Sequence, residues 1–170
     1  AAKAEKFVEK NRLPIVVKPV KAGSSQGVHI VKKEEQLNFA LEDAFKLSTE
    51  VMLEDFVSGR ELTVGMLHGK PLPVIELRTK REFYDYSAKY EDDDTEYICP
   101  ADLSENLVKK INALCVQVAD VLQIRDFCRV DFMLDNAEKP YVLEANIIPG
   151  FTSHSLLPKM AKAVGISFNE

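Results

Sequence analysis

Four polar residues near the C-terminal end of this 170-residue chain have types and spacing suited to chemistry. Arg129 and Asp131 stand in CRVDFML, and Glu144 and Asn146 in YVLEANIIPGFTSHSLLP. Both stretches read as strands, over 127–135 and 140–146. Successive strand side chains alternate faces. Cys128, Val130, Phe132 and Leu134 therefore share one face, with Arg129, Asp131 and Met133 on the other. In the second stretch Tyr141, Leu143 and Ala145 oppose Val142, Glu144 and Asn146. A four-residue loop at 136–139 pairs Asp135 with Pro140, then Leu134 with Tyr141, Phe132 with Leu143 and Val130 with Ala145. The last three pairs are apolar, which favours this register over a one-residue slip. It sets Asp131 opposite Glu144 and Arg129 opposite Asn146. Facing Cβ atoms lie about 4.5–5.5 Å apart, where like charges destabilise. At about 5 Å the repulsion is about 3 kcal/mol for an effective dielectric of about 20, and about 1 kcal/mol at an open surface. A cation relieves it. Asp, Glu and Asn offer oxygen ligands, the hard set suited to Mg²⁺, which keeps open positions when it also holds nucleotide phosphates. The alternative is that Arg129 neutralises the pair on a solvated sheet face.

Other stretches carry weaker signals. KPVKAGSSQG, residues 18–27, puts Lys18 at a strand end before a small-residue loop. Its N–H groups around Gly23, Ser24, Ser25 and Gly27 can cradle phosphate. It lacks the G-x-x-x-x-G-K-[ST] order, and a plain hairpin loop is the alternative. Glu54 lies within the apolar strand VMLEDFV and Glu61 just past a turn. A carboxylate in an apolar strand needs a donor; an adenine amino group or ribose hydroxyls would serve, as would an ordinary salt bridge. KYEDDD places Lys89 and Tyr90 ahead of an acidic run. In GFTSHSLLP, Ser155 suits a helix N-cap and Pro158 the first turn. The free N–H groups there can bind a carboxylate, or the cap is simply a cap.

Helices are expected over 1–11, 34–47, 104–122 and 155–164, the last ending at Gly165. Leu37, Ala40, Leu41, Ala44 and Phe45 form the apolar face of the second. Leu107, Ile111, Leu114, Val118 and Val121 form that of the third, with Asp102 and Glu105 as a capping box. Further strands are LPIVVKP, VHIVKK, EVMLEDFV, ELTVGML and PLPVIEL, with turns at Ser58-Gly59 and His68-Gly69-Lys70. Residues 83–101 show no period and read as a long surface loop. The class is α+β with mixed, largely antiparallel sheets and flanking helices.

Composition narrows the function classes. Hydrophobic residues are 46% and charged residues 29%, the net charge is -5, and the pI is about 5.3. A phosphate-backbone binder needs a basic face, so nucleic acid is not the expected partner. No apolar run approaches the roughly 20 residues that span a bilayer, so no membrane partner is expected. Cys99, Cys115 and Cys128 lack CxxC spacing and read as reduced, which suggests a cytoplasmic location. His29, His68 and His154 form no zinc spacing. The abrupt ends read as those of a fragment.

Together the stretches LPIVVKPVKAGSSQGV, VMLEDFVSGRELTVGML, FYDYSAKY, TEYICPA, CRVDFML and EANIIPGFTSHSLLPKMAKAVGISF resemble the ATP-grasp ligases, and among them the D-alanine–D-alanine ligase family. The EAN-x-x-PG-x-TSHSL pattern is the specific part. The resemblance implies two lobes holding ATP between them. Residues 1–57 would belong to the small lobe and 58–170 to the larger one, with the family's N-terminal domain absent. It implies that Lys18 contacts nucleotide phosphates under a loop at Ser24 and Ser25, and that Lys89 also binds the nucleotide. Glu54 would hold adenine and Glu61 the ribose. Ser24 and Tyr90 would join the catalytic set, Tyr90 with Lys89 on a loop that closes on the site. Asp131, Glu144 and Asn146 would bind two Mg²⁺ ions, with Mn²⁺ as a substitute. Arg129 and the Gly150 N–H would stabilise the tetrahedral intermediate. Ser155 and the Leu156 N–H would take the carboxylate of the second D-alanine. The implied activity is ATP-dependent joining of two D-alanines through an acyl phosphate, for peptidoglycan precursors, by a homodimeric complete protein. Runner-up readings are another second substrate, D-lactate or D-serine, or a nucleotide-binding module without turnover. The chain by itself is expected to be nearly inactive.

Overall fold

The computed structural model describes residues 2–79 and 95–169. They form two units, one built on the chain up to Val57 and the other on Ser58–Arg78 and the stretch from Glu96 onward.

The first unit opens with helix α1, Ala2–Asn11, then strands β1, Ile15–Pro19, and β2, His29–Val31. A single 3-10 turn at Glu34–Gln36 leads into α2, Leu37–Leu47, and strand β3, Val51–Asp55, follows. Among the described residues its sheet has the order β2-β1-β3, all antiparallel. The alternation of IVVKP sends Ile15 and Val17 into the core, where Ala4 and Val8 of α1 and Leu37, Ala40, Leu41 and Ala44 of α2 meet them. Phe45, expected on that face, is 52% exposed. At 3.6 residues per turn it lies roughly 80° from Leu37, outside the arc that Ala40 to Leu41 defines.

The second unit contains β4, Gly59–Leu67; β5, Lys70–Pro71; β6, Ile75–Arg78; and β7, Glu96–Ile98. Helix α3, Glu105–Val121, strands β8, Phe127–Asp135, and β9, Pro140–Asn146, and helix α4, Leu156–Ala163, complete it. Among the described residues the strand order is β7-β6-β4-β8-β9, antiparallel throughout, with β5 beside β4. One face packs on α3, burying Leu62, Val64, Val130 and Phe132 against Leu107, Ile111, Cys115 and Ala119.

Several expectations need correction here. Gly59 is not a turn residue but the first of β4, and a Cβ there would collide with the Leu134 carbonyl of the neighbouring strand. The loop expected at 83–101 contains β7, which at three residues is too short to show a period; residues 83–94 of it lie outside the described residues. The cap of α3 is Ser104, whose hydroxyl accepts from the Leu107 N–H at 3.3 Å, and not Asp102. The contact line of α3 follows every fourth residue and drifts by roughly 40° per step. By the helix end Ala119 is buried and Val121 is 81% exposed.

The hairpin β8–β9 has the expected strand bounds and a β-bulge. Arg129↔Asn146, Val130↔Ala145 and Asp131↔Glu144 pair as expected. Beyond the bulge the register shifts to Phe132↔Val142, Met133↔Tyr141 and Leu134↔Pro140, so the expected pairs Phe132–Leu143, Leu134–Tyr141 and Asp135–Pro140 do not form. Asp135 instead organises the loop, its Oδ1 accepting from the N–H groups of Ala137 and Lys139 at 2.9 Å each.

Candidate active site

The second unit's sheet has two unlike faces. Strand alternation and register put Leu62 and Phe132 toward α3 and set Glu61, Thr63, Arg129 and Asp131 on the opposite side. β9 adds Glu144 and Asn146 to that polar side.

Asp131 is the hub. The Arg129 guanidinium grips it with two bonds, Nε to Oδ1 and Nη2 to Oδ2, both 2.9 Å. The Thr63 hydroxyl donates to Oδ1 at 2.6 Å. Asn146 Nδ2 donates to Oδ2 at 3.0 Å and to Glu144 Oε1 at 3.3 Å. Hydrogen bonds to a carboxylate are short and roughly twice as strong as neutral ones. The repulsion between Asp131 and Glu144 is thus relieved by a cationic side chain on one acid and an amide bridging both. Nothing in the local sequence singles out Thr63. It is a buried polar residue in an apolar strand, and its role appears only once β4 is registered against β8, Thr63 facing Asp131.

The donor set also fits a hard cation. One atom, Asn146 Nδ2, already reaches both carboxylates. Rotating that amide would present its oxygen in place of its nitrogen, giving two carboxylates and a carbonyl, the all-oxygen set that Mg²⁺ takes. Among the described residues no three of His, Cys, Asp and Glu group to hold a metal, so a site on this face would draw on the amide as well as the two acids.

Helix α4 covers the same side of the sheet. Gly65, register partner of Arg129, has no side chain, and a Cβ there would run into Leu157 and Met160 of α4. The loop before α4 is tied down by Phe151, which stacks edge-on against Phe127 at 5.0 Å. Ser155 is the N-cap residue of α4, with extended backbone. Its Oγ accepts from the Thr152 N–H at 3.0 Å and lies 2.9 Å from Thr152 Oγ1. A Cβ on Gly150 would come within 2.8 Å of that Oγ, so Gly150 keeps the space around it. Leu156 opens the helix, and its N–H is among those with no intrahelical acceptor. Glu61 sits in β4 two residues from Thr63, opposite Met133.

The first unit holds its own group. Lys18 and Glu54, on neighbouring strands, form an ion pair of 2.6 Å. Ser24 and Ser25 have φ of +54° and +58°, and the Gln26 N–H closes the turn on the Gly23 carbonyl at 3.1 Å. Glycine or asparagine normally takes such left-handed positions. Two serines there hold backbone strain of a kind that clusters at ligand clamps. Lys89 and Tyr90 lie outside the described residues.

A profile of the family described as "D-ala D-ala ligase C-terminus" matches residues 1–170. The chain belongs to that family. A D-alanine–D-alanine ligase of Acinetobacter baumannii is 46% identical over 160 residues, covering 93% of this chain and 52% of that protein. A Bacillus anthracis D-alanine–D-alanine ligase, solved in complex with ATP, superposes with a TM-score of 0.80 at 34% identity, over 95% of this chain and 50% of the other. The VanG D-Ala:D-Ser ligase of Enterococcus faecalis gives 0.84 at 34% identity, over 98% of this chain and 50% of that one. The chain spans about half the length of these relatives. Its fold is that of the ATP-grasp ligases, α+β with antiparallel sheets.

Proposed function

We propose that this chain carries the nucleotide, metal and acceptor sites of an ATP-dependent ligase that joins two D-alanines for peptidoglycan precursor synthesis. The observation that carries the reading is the Arg129–Asp131–Asn146–Glu144 chain on one sheet face, in a family member matched from end to end. In this reading an oxygen of the first D-alanine carboxylate attacks the γ-phosphorus of ATP, and ADP leaves. The amine of the second D-alanine then attacks the acyl carbon, and inorganic phosphate leaves. Positioning and fixed charge do most of such work.

Asp131, Glu144 and Asn146 would hold two Mg²⁺ ions, with Mn²⁺ as a substitute. When bound, such ions neutralise charge on the transferring phosphoryl group. Lys18 neutralises phosphate oxygens, exchanging Glu54 for them, and this frees Glu54 to accept from the adenine amino group. Glu61 accepts from the ribose, and the strained Ser24-Ser25 turn closes over the phosphates with Lys89 and Tyr90. Arg129 and the Gly150 N–H face the oxyanion of the tetrahedral intermediate. Ser155 and the Leu156 N–H take the second substrate's carboxylate at the α4 terminus. The small lobe would be residues 1–57 and the larger lobe 58–170.

The test is phosphate release from Mg-ATP by the complete polypeptide that carries this chain, with and without D-alanine. D-alanine-dependent release is expected. Release that ignores D-alanine, with ATP binding intact, would sink the assignment. D-serine deserves an arm as second substrate, because a D-Ala:D-Ser ligase shares the fold at 34% identity.

A further inference from the structure

Lys159 is in the first turn of α4, its N–H bonded to the carbonyl of the cap residue Ser155 at 3.2 Å. Its ammonium lies 3.7 Å from the centroid of the Tyr97 ring. Tyr97 belongs to β7 and faces Leu77, which in turn faces Glu61, so the ring is on the same side of the sheet as Thr63 and Asp131. Among the described residues Lys159 forms no ion pair, and burial pushes its ammonium below the usual lysine range.

Nothing in helix stability accounts for this lysine. The N-terminal turn of a helix is electropositive, and a cation there is unfavourable. Partial burial without a carboxylate adds to that cost. The compensation is the ring face, a contact that attracts a cation within about 6 Å. Helical side chains lean back toward the N-terminus, so that of Lys159 extends over the turn that begins at Ser155. The Lys159–Tyr97 contact therefore joins the first turn of α4 to β7, an element on the far edge of the sheet from β9.

We propose that Lys159 is a positioning residue for the acceptor carboxylate: held on Tyr97, it fixes the α4 turn that presents Ser155 and the Leu156 N–H, and adds positive charge beside them. The inference rests on the ligase reading given above. It goes beyond that reading in assigning specificity for the anionic end of the acceptor to a lysine–tyrosine pair outside the metal and nucleotide residues.

Steady-state kinetics of the complete polypeptide test it, with D-alanine titrated at fixed ATP and the two amino-acid sites resolved. Lys159→Met and Tyr97→Leu are each expected to raise KM at the acceptor site about three- to tenfold, the span of a cation–π contact, with KM for ATP unchanged. Lys159→Arg and Tyr97→Phe keep the cation and the ring and are expected to stay near wild type. The double variant Lys159→Met/Tyr97→Leu should be no worse than either single change, as for two groups acting through one contact. An unchanged acceptor KM in Lys159→Met overturns the proposal, as do additive effects or an equal loss at the ATP site. Wild-type protein without D-alanine-dependent release would overturn the ligase reading itself, an outcome distinct from an active wild type indifferent to Lys159.

Discussion

Glu76 offers the sharpest test of how the second unit is held together. It lies on β6 with its side chain only 4% exposed, on the α3 side of the sheet as the register partner of Leu62. Arg60 donates to it twice, Nε to Oε1 at 2.9 Å and Nη2 to Oε2 at 2.7 Å, and Arg78 Nη2 donates to Oε2 at 3.0 Å. Replacing Glu76 with Gln keeps the shape, removes the charge, and turns an NH₂ group toward guanidinium donors. Breaking a fully buried pair costs about 3–5 kcal/mol. Here Arg60 and Arg78 are 36% and 51% exposed, so water can take up part of their charge. A cost of about 2–3 kcal/mol follows, or a fall of roughly 5–10 °C in Tm.

The pH dependence supplies a second, independent check. The Arg60 hydrogen bond is the largest influence on the Glu76 carboxyl and holds it below the usual carboxylate range, against the opposing effect of burial. A carboxyl depressed on folding contributes stability that is present above its unfolded value of about 4.3 and is lost as pH falls through the folded value. Urea unfolding of wild type and Glu76→Gln should therefore differ most at neutral pH and converge in acid. A difference below about 0.5 kcal/mol at pH 7, or one that persists undiminished at pH 3, refutes the reasoning.

Three further outcomes are expected. Thr63→Val removes the hydroxyl bonded to Asp131 at 2.6 Å, a hydrogen bond to charge worth about 1.5–3 kcal/mol, so on the proposed ligase reading kcat/KM of the complete polypeptide should fall about tenfold or more, while Thr63→Ser should keep most of it. Gly65→Ala drives a methyl into Leu157 and Met160 and should destabilise by about 1–3 kcal/mol in urea titration. Alkylation of the native chain at pH 8 should modify Cys99 before the others. Cys115 and Cys128 are buried, the Cys115 thiol pushed up to about 12, and both should react only after unfolding.

The polar face of the hairpin was legible because alternation in CRVDFML puts Cys128, Val130, Phe132 and Leu134 on one face, and only Met133 is apolar on the other. What lay across strands was not. Thr63 meets Asp131 across 68 residues, and the Arg60–Glu76 pair depends on the β4–β6 register, so neither shows in local spacing. The Lys18–Glu54 contact likewise joins two strands from different parts of the chain. The helix errors have a geometric origin. Phe45 and Val121 satisfy an apolar count, but burial follows the arc that touches the sheet, and both residues fall outside it.

The hairpin register shows how the facing of Asp131 and Glu144 can be anticipated through a wrong intermediate. The expected register closes a four-residue loop and runs straight to Asp131 and Glu144. In the structure Leu134 pairs with Pro140, which makes the connection one residue longer, and the bulge before Asp131 restores the offset. Two one-residue departures cancel. The run Tyr141-Val142-Leu143 is apolar throughout, so alternation had no means of locating the extra residue. Without the bulge, the register at the loop would continue and set Asp131 opposite Leu143 and Val130 opposite Glu144. That would turn Glu144 toward the face that α3 covers, where an unpaired carboxylate is costly. Bulges concentrate beside active sites because they re-aim a side chain. Here the extra residue in β9 is what brings Glu144 and Asn146 onto the side of Arg129, Asp131 and Thr63, and the acids face each other because of it.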